Sequence, residues 1–173
     1  MTNAAYPGSP DAMGDGLRSV LDEVTQFIYR EARLQDEHAY DDWEALWTAD
    51  GIYWVPANGE GLDPENEMSI IYDNRSRIAL RIKQLQTGKR FSQTPKSRLR
   101  RIVSNIEILE QGAGTVRVTC NAMVFESRPG GDTIWASRNE YRLRREAGVW
   151  RMAAKKVILV NNDTALYSMA FLI

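Results

Sequence analysis

The sequence predicts an α+β fold in which about three helices come first and a meandering, mostly antiparallel sheet follows. Helical spacing of apolar residues is confined to the first half of the chain. Four long stretches of strand character then fill residues 101–162, separated by Gly-containing connections at hairpin spacing. Helices segregated from an antiparallel sheet pack against it as a second layer. The long strands must therefore curl to cover the apolar helix faces, which makes a cone with room for an interior pocket.

Each element has its own signature. Residues 1–16 are rich in Gly, Pro, Ala and Asp without periodicity and read as a flexible N-terminal arm; 17–173 read as a single domain. From 17 to 37, Leu17, Val20, Leu21, Val24, Phe27, Ile28 and Leu34 mark the buried face of an amphipathic helix. A short second helix is expected from about Asp41. It would place Trp43, Leu46 and Trp47 on one side, with Asp41 or Asp42 as cap and Gly51 helping to end the segment. IYWVP, 52–56, reads as a strand stopped by Pro56. An acidic loop over 57–67 carries Glu60, Asp63, Glu65 and Glu67. A third helix is expected over about 68–87, with Ile71, Ile78, Ile82 and Leu85 inward and Gly88 at its stop.

A basic stretch broken by Pro95 follows, with Lys89, Arg90, Lys96, Arg98, Arg100 and Arg101. The strands come next, RIVSNIEILE, TVRVTCNAMVFE, TIWASRNEYRLRRE and VWRMAAKKVILVNN. In the second, Val116, Val118, Cys120, Ala122 and Val124 share a face. In the third, Trp135, Ser137, Asn139, Tyr141 and Leu143 share one face and Arg138, Glu140, Arg142 and Arg144 the other. The apolar tail TALYSMAFLI packs on the domain or on a neighbour.

Composition limits the chemistry. A chain of 173 residues holds one domain with a real core. A net charge of -1 argues against a polyanion binder, and a lone cysteine excludes an internal disulfide. The start MTNAAYPGSPDAMGDG lacks the basic and apolar regions of a secretory signal, and no apolar run approaches the ~20 residues of a membrane helix. A cytoplasmic location is the expectation. His38 and Cys120 are the only histidine and cysteine. One copy of the chain therefore cannot assemble a Cys/His zinc site, a Rieske cluster or a two-histidine iron site.

Four blocks in order carry a family resemblance: FIYREARLQDEHAYDDWEALWTADGIYWVPA, EMSIIYDNRSRIALRIKQL, PKSRLRRIVSNIEI and WRMAAKKVILVNND. Through them the chain, from about residue 24 to its end, resembles the small, or beta, subunit of bacterial aromatic-ring-hydroxylating dioxygenases, the Rieske non-haem iron oxygenases. The resemblance implies a nuclear-transport-factor-2-like or scytalone-dehydratase-like cone. It implies a non-catalytic structural subunit in aromatic compound catabolism, with no cofactor in this chain. The partner would be a large alpha subunit carrying the Rieske 2Fe-2S cluster and mononuclear Fe(II), commonly in an alpha-three beta-three hexamer with other beta subunits. A reductase drawing on NAD(P)H, and in some systems a ferredoxin, would act on the alpha subunit. No catalytic, cofactor-binding or metal-ligating residue is expected here, and neither nucleic acid nor membrane is an expected partner.

Individual residues keep two readings each. His38, beside Asp36, Glu37, Asp41 and Asp42, reads as a helix-end histidine at a surface or interface. The alternative, a stand-alone dehydratase or isomerase, needs His38 or Asp36 turned into the cone with Tyr53 for acid–base catalysis. The basic stretch could grip phosphates with Phe91 stacking on a base, but balanced net charge favours a solvated or interface role, paired with the acidic loop. Cys120 reads as an inert buried thiol. Trp43, Trp47, Trp54, Trp135 and Trp150 read as core or interface residues. The basic 89–101 stretch, with Arg98 and Arg100 the positions whose charge reversal should weaken assembly, the acidic 57–67 loop and the LYSMAFLI tail are the candidate assembly contacts.

Overall fold

The computed structural model describes residues 15–61, 63–88, 95–166 and 169–173. Most of the expected arm, residues 1–14, lies outside the described residues, as do 89–94 of the basic stretch and 167–168 of the tail. α1 (Asp15–Asp36) and α2 (Tyr40–Glu44) lead into β1 (Trp47–Pro56), followed by β2 (Ser69–Asn74) and α3 (Arg75–Gln86). Four long strands complete the chain, β3 (Arg98–Gly112), β4 (Thr115–Arg128), β5 (Gly131–Glu146) and β6 (Val149–Leu159). All six form one curved sheet in the order β2-β1-β6-β5-β4-β3, with β2 and β3 at its open edges. Neighbours are antiparallel except β1 and β6, which run parallel.

The fold class is the one the sequence predicts. α1 buries Val24, Phe27, Ile28 and Leu34 on a single helical stripe. The alternation in β4 and β5 holds: the predicted inner faces of both strands are buried, polar Ser137 and Asn139 included. Ala147 and Gly148 join β5 to β6 with φ of 50° and 82°, the two positive values that a twist-matched two-residue hairpin needs.

Three local expectations are corrected. The segment read as one helix over 68–87 is strand β2 followed by α3. Ser69–Asn74 pairs antiparallel with β1, Ile71 opposite Val55, so its apolar residues alternate across a sheet edge. The helix starts only where the Asn74 side chain accepts the Arg77 backbone N–H at 3.1 Å. Second, neither Asp41 nor Asp42 caps α2. His38 ends α1 with φ 55°, and the Ala39 N–H reaches back to the Leu34 carbonyl at 2.9 Å, a Schellman-type closure. The chain turns so tightly there that Ala39 holds the cap position and the two aspartates fall in the first turn, where the helix dipole favours them. Third, Trp47 and Gly51 belong to β1. A Cβ on Gly51 would lie 2.7 Å from the Trp47 ring, so glycine admits that ring at the bulge between Trp47 and Ile52.

The Asn74 cap generates a test. Asn74→Ala should lower stability to urea by about 1 kcal/mol, whereas Asn74→Asp should retain most of it. Equal losses in both variants would show that the side-chain oxygen is not what starts α3.

Candidate functional site: the interior of the cone

The register of the sheet sets Tyr53 of β1, Lys155 of β6 and Tyr141 of β5 side by side on the inner face. α1 brings Glu31 and Gln35, one turn apart on its inner stripe, onto the same spot. All five side chains are buried. The Glu31 carboxylate accepts from Lys155 Nζ at 2.8 Å, Trp43 Nε1 at 2.7 Å and the Tyr141 hydroxyl at 3.3 Å. Lys155 also meets Gln35 Oε1 at 3.5 Å and the Ile173 carbonyl at 3.3 Å, so three N–H groups face three acceptors. Burial pulls the Lys155 ammonium below the usual lysine range, and the Glu31 carboxylate opposes that pull. Burial pushes the Tyr53 and Tyr141 hydroxyls up, which keeps both as protonated donors.

The tail fills the space beside this cluster. Phe171, Leu172 and Ile173 are buried. Tyr53 donates its hydroxyl hydrogen to the Ile173 carbonyl at 2.5 Å and accepts the Ile173 N–H at 3.1 Å, and Gln35 Nε2 donates to the same carbonyl at 3.2 Å. Arg101 donates to the Leu172 carbonyl and to Asp36, and its guanidinium lies 5.9 Å from the Phe171 ring centroid. Phe171 meets Trp135 edge-on at 6.0 Å. The ring contacts of Trp43, Trp47 and Tyr53 close the other side. Glu31, Tyr53, Tyr141 and Lys155 line neither of two open pockets of about 560 and 450 Å3, the second of which reaches the tail at Met169 and Phe171.

The acid–base grouping considered from sequence is not brought together. His38 bridges the Tyr40 hydroxyl and the Ser97 carbonyl, each at 2.9 Å, and lines the 560 Å3 pocket at the rim. Asp36 is bound to Arg101, and Tyr53 to the tail. Cys120 is buried mid-strand, and burial pushes its thiol up to about 12, so it stays protonated at neutral pH. The basic stretch divides. Arg98 and Arg100 are exposed, whereas Arg101, with 3% of its side chain exposed, belongs to the core. Three acidic residues of the loop have partners outside the basic stretch: Glu60 pairs with Arg138 at 3.0 Å, Asp63 accepts from Asn66, and Glu65 accepts from Tyr72. Among the described residues, no group of three or more His, Cys, Asp or Glu is placed to hold a metal ion.

The sequence assigns no role to Glu31, Gln35 or Lys155 and places Arg101 only in the basic stretch. Glu31 and Gln35 had a visible signal, since they continue the stripe of Val24, Phe27 and Ile28 at helical spacing. Lys155 had none. Strict alternation from Trp150 and Met152 would turn Lys156 inward, but a register shift opposite Arg142 and Leu143 changes the phase of β6.

Breaking a buried ion pair from one side leaves a charge without its partner. Lys155→Met should therefore cost about 3–5 kcal/mol in urea unfolding. Glu31→Leu/Lys155→Met should cost clearly less than the two single changes summed, because the stranded charge disappears even though Trp43 and Tyr141 lose an acceptor. Additive losses would show that the pair does not act as a unit.

Comparisons with known proteins show the family and the fold. The family model described as ring hydroxylating beta subunit matches residues 30–164. The small oxygenase component of a p-cumate 2,3-dioxygenase system from Pseudomonas putida is 32% identical over 155 residues, covering 88% of this chain and 84% of that protein. The beta subunit of toluate 1,2-dioxygenase, also from Pseudomonas putida, is 30% identical over 144 residues, covering 80% of this chain and 89% of its own. The crystal structure of the beta subunit of benzoate 1,2-dioxygenase from Burkholderia mallei superposes with a TM-score of 0.71 at 20% identity, over 93% of this chain and 99% of that one. By these matches the chain belongs to the family of ring-hydroxylating dioxygenase beta subunits.

Proposed function

We propose that this chain is the non-catalytic structural subunit of the terminal oxygenase of a multicomponent aromatic-ring-hydroxylating dioxygenase. Its partner is a large alpha subunit that holds the Rieske 2Fe-2S cluster and mononuclear Fe(II) and binds the ring. Electrons reach that subunit from NAD(P)H through a reductase, and the assembly is a cytoplasmic alpha-three beta-three hexamer. Residues 17–173 act as one unit in it. The observation that carries the proposal is the tail-filled interior. A cone-fold dehydratase or isomerase needs two titratable groups free to act in an open pocket. Here Glu31, Lys155 and Tyr53 face protein partners, and Asp36 and His38, which line the 560 Å3 pocket, are bound to Arg101 and to Tyr40 and Ser97.

The outer surface supports the same reading. Ile102, Met123, Phe125, Ile134 and Val160 are exposed. Sheet register places Ile102 beside Met123 and Phe125 beside Ile134, so the outer face of β3, β4 and β5 carries an apolar patch. Arg100 lies opposite Phe125 at its border. Apolar surface edged by arginine suits a subunit contact. No helix among the described residues is long and apolar enough to cross a membrane.

Co-expression with the large subunit should give a mixed complex on size-exclusion chromatography that contains iron and hydroxylates an aromatic ring. A chain that stays apart from that partner would refute the proposal. Arg98→Glu/Arg100→Glu should weaken assembly about tenfold or more while leaving the urea midpoint of the isolated chain nearly unchanged. Equal loss of assembly and fold stability would place these arginines in the fold instead.

A further inference from the structure

Three donors from three separate elements converge on one backbone oxygen inside the cone. Gln35 of α1, Tyr53 of β1 and Lys155 of β6 reach the Ile173 carbonyl at 3.2, 2.5 and 3.3 Å. A buried tail needs partners for its own main-chain N–H and oxygen groups, but one or two donors would satisfy an oxygen that here receives three. Two of the three donors have partners apart from the tail, Lys155 on Glu31 and Gln35, with Glu31 held in turn by Trp43 and Tyr141; the Tyr53 ring is placed by Trp43 and Trp47 while its hydroxyl bonds the tail. The pocket wall around the tail side chains is aromatic and aliphatic, Trp135 against Phe171 being one contact. The arrangement has the composition of a small-ligand site, an apolar cavity with a few convergent polar groups.

We propose that the cone interior is a complete binding site for a carbonyl or carboxylate oxygen carried on a branched aliphatic or aromatic chain, and that residues 171–173 close it as a tethered ligand. Gln35, Tyr53 and Lys155 recognise the oxygen. Tyr53 adds a second, opposite bond by accepting the Ile173 N–H at 3.1 Å, which selects an amide next to that oxygen. Arg101, held by Asp36, fixes the preceding carbonyl of Leu172. Three buried residues withdrawn together would vacate a space on the order of a small-ligand pocket, about 300–1,000 Å3. This inference concerns the chain alone and does not depend on the assembly proposed above.

The test compares the full chain with a variant stopped after Ala170. N-acetyl-Phe-Leu-Ile, as free acid and as amide, is titrated into each and followed by calorimetry and thermal unfolding. The stopped variant should unfold at lower temperature and regain the loss saturably with the tripeptide, while the full chain should not bind it. The tighter of acid and amide identifies the oxygen that the site prefers. Lys155→Met or Gln35→Leu in the stopped variant should weaken binding by tenfold or more. If the stopped variant does not fold alone, refolding with the tripeptide present should restore the native circular dichroism. A folded stopped variant that binds neither form, binding unaffected by Lys155→Met and Gln35→Leu, or refolding that the tripeptide does not help would each overturn the proposal.

Discussion

A lysine on the inner face of a sheet, 1% exposed, can exist only where acceptors surround it, and that demand organises this molecule. Lys155 needs Glu31, so α1 must lie across the sheet in one rotation, with its stripe of Val24, Phe27 and Ile28 on the same side. Glu31 needs donors, which ties Trp43 of α2 and Tyr141 of β5 to the same point. The remaining N–H groups of Lys155 look to Gln35 and to the Ile173 carbonyl, which brings the tail inside. One buried pair thus links both ends of the described chain to the centre of the sheet. An apolar core could hold the same volume with no loss of stability, so the pair is better understood as specifying which packing is adopted.

The consequence for chemistry follows from the same contacts. General acid–base work needs a group that can exchange a proton with something that arrives from outside. Glu31, Lys155 and Tyr53 spend their hydrogen-bonding capacity on one another and on the tail, and His38 bridges Tyr40 and Ser97 at the rim. The groups on the outer face are different in kind: an apolar patch and unburied arginines that a neighbouring subunit can cover. A scaffold role in a larger oxygenase fits that division between inner titratable groups held by protein partners and an exposed apolar outer patch.

Much of the architecture was legible in the sequence because it rests on periodicity. The order of helices before strands, the hairpin spacing and the inner faces of β4 and β5 all depend on repeats of 3.6 or 2 residues that side chains display directly. What was not legible depends on tertiary context. Ser69–Asn74 has enough apolar residues for either reading, and only pairing with β1 makes it a strand. Lys155 turns inward because a bulge shifts the phase of β6, which no spacing in AAKK reveals. Arg101 looks like one more charge in a basic run until Asp36 and the Leu172 carbonyl are seen to hold it. The four ordered sequence blocks mark the family without these details, since they span the fold as a whole.

The central claim is that this chain supports a reaction performed in another chain. It is tested most directly by the ring-hydroxylation rate per mole of iron in the assembled complex carrying His38→Ala or Glu31→Gln in this subunit. Loss of a general acid or base costs about 10²- to 10⁴-fold. The account predicts that every complex that assembles turns over within about twofold of the unaltered one, even where the Glu31 change lowers its stability. A loss of about a hundredfold or more, in a complex of intact composition and iron content, would contradict it.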